Sequence, residues 1–387
     1  MPLDPQALRR IRETEFPVTQ RYLPLNHAGV APVCTRASVA AAHFAAKAAR
    51  LGTAEYGKWM EDLEKVRSLS AWFVGARPEE ICFVRNTSHG LSLVAAGLDW
   101  KSGDNVVTTD ADYPSNIYPW MMLQDRGVEL RLVPGARGKP PGLDDFARRV
   151  DSRTRLLSIS HVEFSTGCRF DLKALSDLAH SKGALLCVDA IQSLGVLPVD
   201  VEREGIDFLS ADGHKWLCSF EGCGIFYCRR AHLERLTPVL VGWNSVVQNH
   251  EFESYDLRFP NEARKFEEGS LPLVAIFAFQ KALELFAEIT VSEAGRLALE
   301  AAGHIRAGIA PRNLTDLSQQ GSGGPSPLVI VGGDFGVQEM YEKLSKEGVQ
   351  LAPRGGGLRL SPHFYNTAED ARRFWEIFDR LRPAPPR

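Results

Sequence analysis

The chain has 387 residues, of which 44% are hydrophobic and 24% charged, and a formal net charge of −3. That length suits two domains with a sizeable core, and the composition excludes disordered and fibrous classes. So small a net charge gives no electrostatic reason to expect nucleic acid or an anionic membrane as partner.

Residues 1–16 are polar and helix-like, without the apolar core of a secretion signal. From residue 81 onward, short apolar runs alternate with helical patterns. Strands are expected at 81–84, 105–109, 129–133, 155–160, 184–189, 207–211 and 224–228. Helices are expected at 88–98, 115–125, 143–150 and 172–181. Near-continuous hydrophobic strands separated by helices predict an α/β fold, with a mostly parallel seven-stranded sheet covered on both faces. The Gly222/Gly224 pair predicts that the last strand returns antiparallel, as in a hairpin.

The apolar stretch 271–289 is interrupted by Gln280, Lys281, Glu284 and Glu288, and reads as a buried amphipathic helix rather than a membrane span. Beyond it come a further helix, a loop at 319–325, strands at 328–331 and 357–361, and helices at 337–347 and 368–381. These predict a smaller C-terminal α+β domain. The seven cysteines (34, 82, 168, 187, 218, 223 and 228) form an odd set without close metal-site pairs, and several lie in apolar runs. No metal site is expected, and a reducing cytoplasm is the expected setting.

Three segments carry chemistry. The apolar strand at 184–189 ends in Asp189, with Gln192 three residues on. Ligands of open α/β sheets gather at the carboxyl ends of strands, although an aspartate there also suits a helix N-cap. The next strand delivers His214 and Lys215. A lysine at a buried strand end costs free energy while charged, so its pKa falls and it becomes a nucleophile towards carbonyls. At 84–90 a strand runs through Asn-Thr-Ser into a helix, where Thr87 and Ser88 suit a phosphate beside free N–H groups. A plain N-cap would use the same residues.

An anion cradle, a carboxylate, a glutamine and a strand-end lysine together match the needs of pyridoxal 5'-phosphate. No GxGxxG, GxxxxGK[ST] or HExxH motif offers a competing cofactor.

These residues resemble the class V aminotransferase family of pyridoxal-phosphate enzymes, which includes cysteine desulfurases, kynureninase-like enzymes and isopenicillin N epimerase. The resemblance runs from Asn26-His-Ala-Gly29 to Tyr365-Asn-Thr367, and is strongest in Val188-Asp-Ala-Ile-Gln-Ser193 and Asp212-Gly-His-Lys-Trp216. It implies a fold-type I homodimer with the active site at the domain and subunit interface. It also implies an N-terminal segment, 1–20, near the small domain, a large cofactor-binding domain, 21–270, and a small domain, 271–387.

Carried over by position, Lys215 resembles the aldimine lysine and catalytic base, Asp189 the partner of the pyridine nitrogen, and Gln192 the residue on the ring hydroxyl. Thr87 and Ser88 fall at the phosphate, His214 close to it, and Tyr113 where a ring stacks on the cofactor. Ser270, in Phe266-Glu-Glu-Gly-Ser270, resembles a phosphate ligand offered to the neighbouring subunit. Arg359 matches the substrate-carboxylate arginine, a role that suits a planar guanidinium, and Asn26 and His27 are placed at the substrate as well.

There are departures. No cysteine stands in 352–358, where desulfurases carry their nucleophile, and Phe164 replaces a polar residue. Asp212 stands where many relatives have serine, and no phosphate role is assigned to it. The expectation is therefore an enzyme acting at the α carbon of an amino acid, by transamination rather than desulfuration. A β-lyase remains open, as does an epimerase of the isopenicillin N type with Tyr113 as second acid. So does a protein of this fold that binds the cofactor without turnover.

Overall fold

The computed structural model describes residues 3–135 and 139–382. Its centre is a seven-stranded sheet. From edge to edge the strands are Ile81–Val84, Gly224–Cys228, Phe208–Asp212, Leu185–Asp189, Thr154–Ser160, Asn105–Thr109 and Glu129–Val133. Only Gly224–Cys228 opposes the others, pairing antiparallel with both neighbours as the glycine-marked return predicts.

The inner strands Leu185–Asp189, Phe208–Asp212 and Gly224–Cys228 are buried throughout because both faces are covered, whereas the edge strand Glu129–Val133 is partly exposed. Along Leu185–Asp189, Leu186 and Val188 enter one core, while Leu185 and Cys187 enter the other. All seven cysteines are free and buried.

Helices Thr35–Leu51 and Tyr56–Val74 precede the sheet, where no element is expected from sequence. Helix Leu273–Ile289 packs on both and buries Ile276, Phe279 and Phe286 in the first core. Among the described residues no helix is long and apolar enough to cross a membrane. The single helix expected at 115–125 breaks into short turns around Tyr118–Met121, because Pro119 cannot donate a helical hydrogen bond.

The C-terminal part forms a four-stranded sheet with strands in the order Ala352–Arg354, Gly357–Leu360, Val329–Gly332 and Thr315–Asp316. Its core takes Val329, Leu358 and Leu360 from the strands, and Phe374 and Phe378 from helix Ala368–Leu381. The first helix, Pro5–Glu15, is tied to that last helix through Arg12, whose guanidinium meets the Asp370 carboxylate at 2.6 and 2.9 Å.

Candidate active site

A cavity of about 430 Å³ opens at the carboxyl ends of the central strands. Each wall follows directly from a strand end. Thr87 and Ser88 come after Ile81–Val84, and Tyr113 after Asn105–Thr109. Phe164 follows Thr154–Ser160, Asp189 closes its own strand, and His214 and Lys215 follow Phe208–Asp212. Parallel strands bring their ends to one edge, so residues more than a hundred positions apart meet there.

Helix Thr87–Gly97 begins at this edge, with the Asn86 side chain accepting the His89 N–H at 2.9 Å. The helix lies close on the sheet because residue 90 is glycine, where a Cβ would stand 2.2 Å from Ser210 Oγ. Asn86, Thr87 and Ser88 line the cavity at the start of this helix, where first-turn N–H groups lack intrahelical partners. The Thr87 hydroxyl is buried without a partner, and Ser88 Oγ donates to Ser115 Oγ at 2.7 Å.

On the floor, Asp189 Oδ1 accepts the Ile191 N–H at 2.9 Å. Burial pushes this carboxyl up to about 7, offset by that hydrogen bond. Lys215 is lowered to about 8, by burial first and partly offset by Asp189. Its Nζ lies 5.7 Å from the centre of the Tyr113 ring, which meets Phe164 edge-on at 5.0 Å. Gln192 is fixed through two bonds, accepting Trp216 Nε1–H at 2.9 Å and donating to Ala28 O at 3.0 Å. His214 Nδ1 stands 3.0 Å from Asp212 Oδ2, a close approach without hydrogen-bond geometry.

The lysine loop is braced from behind. His363 donates from Nε2 to Trp216 O at 2.8 Å. His27, placed at the substrate by the resemblance, lies behind the cavity wall, its Nδ1–H donating to Ser361 O at 2.8 Å. Tyr365 O–H donates to His27 Nε2 at 2.6 Å, and burial lowers His27 to about 4, so it is a neutral brace.

Arg359 lies on the opposite wall. It donates to Phe164 O at 2.8 Å and towards Asn26 Oδ1 at 3.5 Å, while its Nε is buried and unpartnered. Asn26 thus reaches the site through Arg359 without lining the cavity. Ser270 lies elsewhere, exposed beside Trp243 and Phe252 in a second depression. Beyond the expected set, the cavity also takes in Asn86, Ser115, Asp212 and Arg354.

The residues present fit pyridoxal phosphate. Hydroxyls and helix N–H groups suit its phosphate, a buried carboxyl suits its ring nitrogen, and a lysine with a lowered pKa suits its carbonyl. Fold and cavity together define a pyridoxal-phosphate-dependent enzyme of fold type I. The chain belongs to the class V aminotransferase family, whose sequence pattern, described as Aminotransferase class-V, matches residues 27–374.

It is 31% identical to the uncharacterized aminotransferase YcbU of Bacillus subtilis, over 81% of this chain and 83% of that protein. It is 28% identical to a probable cysteine desulfurase of Methanothermobacter thermautotrophicus, over 82% of this chain and 83% of the relative. A solved structure of the cystine C-S lyase C-DES with cysteine persulfide superposes with a TM-score of 0.88. It shares 22% identity and covers 94% of this chain and 99% of that one. In another C-DES structure, glycine is covalently linked to the pyridoxal-phosphate cofactor.

Proposed function

We propose that this protein transfers the amino group of a small amino acid, with Lys215 as the covalent anchor of the cofactor and as the proton-moving base. The observation that carries this reading is the meeting of Lys215, Asp189 and Arg359 in one cavity. When bound, pyridoxal phosphate supplies an electron sink for the charge that develops at the α carbon.

The chain's own residues do the rest. Asp189 holds a proton on the ring nitrogen, and cofactor binding gives that carboxyl the partner its burial lacks. Thr87, Ser88 and the first helical turn hold the phosphate, with His214 beside them. Gln192, clamped between Trp216 and Ala28, presents its remaining N–H to the ring oxygen. Tyr113 and Phe164 cover the ring. Arg359 holds the substrate carboxylate, with Asn26 steadying the guanidinium. The released Lys215 amine, with its lowered pKa, takes a proton from the α carbon and returns it elsewhere. Ser270 serves the cavity of a second subunit, in a homodimer.

Persulfide formation on the enzyme is disfavoured in this reading, because every cysteine is buried and none lines the cavity. Incubating the holoenzyme with a panel of L- and D-amino acids tests the proposal. Mass spectrometry should find the oxo acid. An eliminated side-chain fragment would replace transamination by β-elimination, and an inverted enantiomer would replace it by epimerisation.

A further inference from the structure

Among the described residues the cavity has two arginines, of which the proposed function uses one. Arg354 and Arg359 both line it. The hairpin that carries them fixes this arrangement. Strand Ala352–Arg354 pairs antiparallel with Gly357–Leu360, setting Ala352 opposite Arg359 and Arg354 opposite Gly357. Residues two apart, and residues directly opposite, share a face. Both guanidinium side chains therefore project from the same face of the hairpin, two pairs apart along the ladder.

The two-residue turn is Gly355-Gly356, with φ of 66° and 79°, the left-handed values that a tight hairpin turn requires. A Cβ on Gly355 would stand 2.1 Å from Ser165 O, so the turn is seated against the loop that carries Phe164. Arg354 is thus held at the mouth of the cavity by backbone geometry.

Neither arginine has an ion-pair partner among the described residues. Arg354 Nη1 donates only to Pro353 O, at 3.1 Å. Arg359 donates to a carbonyl and an amide oxygen and leaves Nε unpartnered. Burial, and then the nearby Arg354 charge, lower Arg359 to about 10. Two like charges with no anion between them suit a ligand that brings two. A planar guanidinium takes a carboxylate through two parallel bonds.

We propose that the substrate is an acidic amino acid, its α-carboxylate on Arg359 and its side-chain acid group on Arg354. This rests on the reading of the cavity as an amino-acid site and names its substrate class.

The test uses holoenzyme titrated by calorimetry with unreactive acids, succinate and glutarate against propionate and butyrate. Dicarboxylates should bind at least about tenfold tighter, a charged hydrogen-bonding contact being worth about ten- to a hundredfold. Arg354→Gln should bring that preference to within about threefold, and Arg354→Lys should keep part of it. The ratio of kcat/KM for aspartate or glutamate to that for alanine should fall in parallel. Equal binding of both acid classes by the native protein, or an undiminished preference in Arg354→Gln, overturns the inference. If amino acids perturb the cofactor spectrum while acidic ones hold no advantage, only the substrate class fails. If no amino acid does so, the underlying reading fails.

Discussion

Replacing Asp189 by Asn tests how dry the cavity floor is. Burial raises this carboxyl from 3.8 to about 7, with one backbone N–H as its hydrogen-bond support. Three pKa units correspond to about 4 kcal/mol. A folded value above the unfolded one means that the folded protein holds a proton the unfolded chain releases. The associated stability is fully present below pH 3.8 and is lost as pH rises through about 7. The apoprotein should therefore lose up to about 4 kcal/mol on this account between pH 4 and 8.

Asp112, raised to about 6, and Glu163, raised well above its usual range, both by burial, add losses of the same sign. They remain in the Asn variant, where Glu163 loses the Asp189 charge that helps to raise it, so the difference between the two proteins reads Asp189 together with that coupling. Denaturant unfolding of both apoproteins at pH 5 and pH 8 reads that difference. The variant's amide oxygen can keep the Ile191 hydrogen bond, and its stability should fall less with pH. Parallel pH dependences would refute the argument, because they would mean that Asp189 does not titrate in this window. The same charge explains why cofactor should raise Tm more in the native protein than in the variant.

Three further outcomes follow from the same geometry. Covalent uptake of pyridoxal phosphate by the apoprotein should increase with pH and level off above about 8, the Lys215 value, as stopped-flow absorbance can follow. At pH 7 about a tenth of such a lysine is neutral, against about 0.03% of an ordinary one. Arg359→Lys should raise KM for amino acids about tenfold or more in steady-state kinetics, since an ammonium cannot make the bidentate contact. Gly90→Ala places a methyl group against Ser210 and should cost about 1–3 kcal/mol in denaturant unfolding while weakening cofactor binding.

The sheet was legible because buried parallel strands must be hydrophobic on both faces, so 155–160 and 184–189 stand out as short apolar runs. Helices Thr35–Leu51 and Tyr56–Val74 were not. The first is dominated by alanine, whose small side chains give a weak apolar stripe although they pack closely on Leu273–Ile289. Thr87, Asp189 and Lys215 could be read because each follows or closes a strand, and the topology collects such residues at one edge. Contacts made by distant segments carry no local signal. The bracing of Trp216 by His363 and the seating of Arg359 against Phe164 O needed the chain to be folded. His27 belongs with these, since only its bonds to Ser361 and Tyr365 show it behind the cavity wall.

Lys215 as the anchor of the cofactor is the claim on which the rest depends. Borohydride reduction of the holoenzyme, followed by proteolysis and mass spectrometry, tests it most directly. A pyridoxyl-phosphate mass is expected on the peptide containing Lys215, and should be absent from Lys215→Ala. A label on a different lysine of the native protein, or none at all, would contradict it.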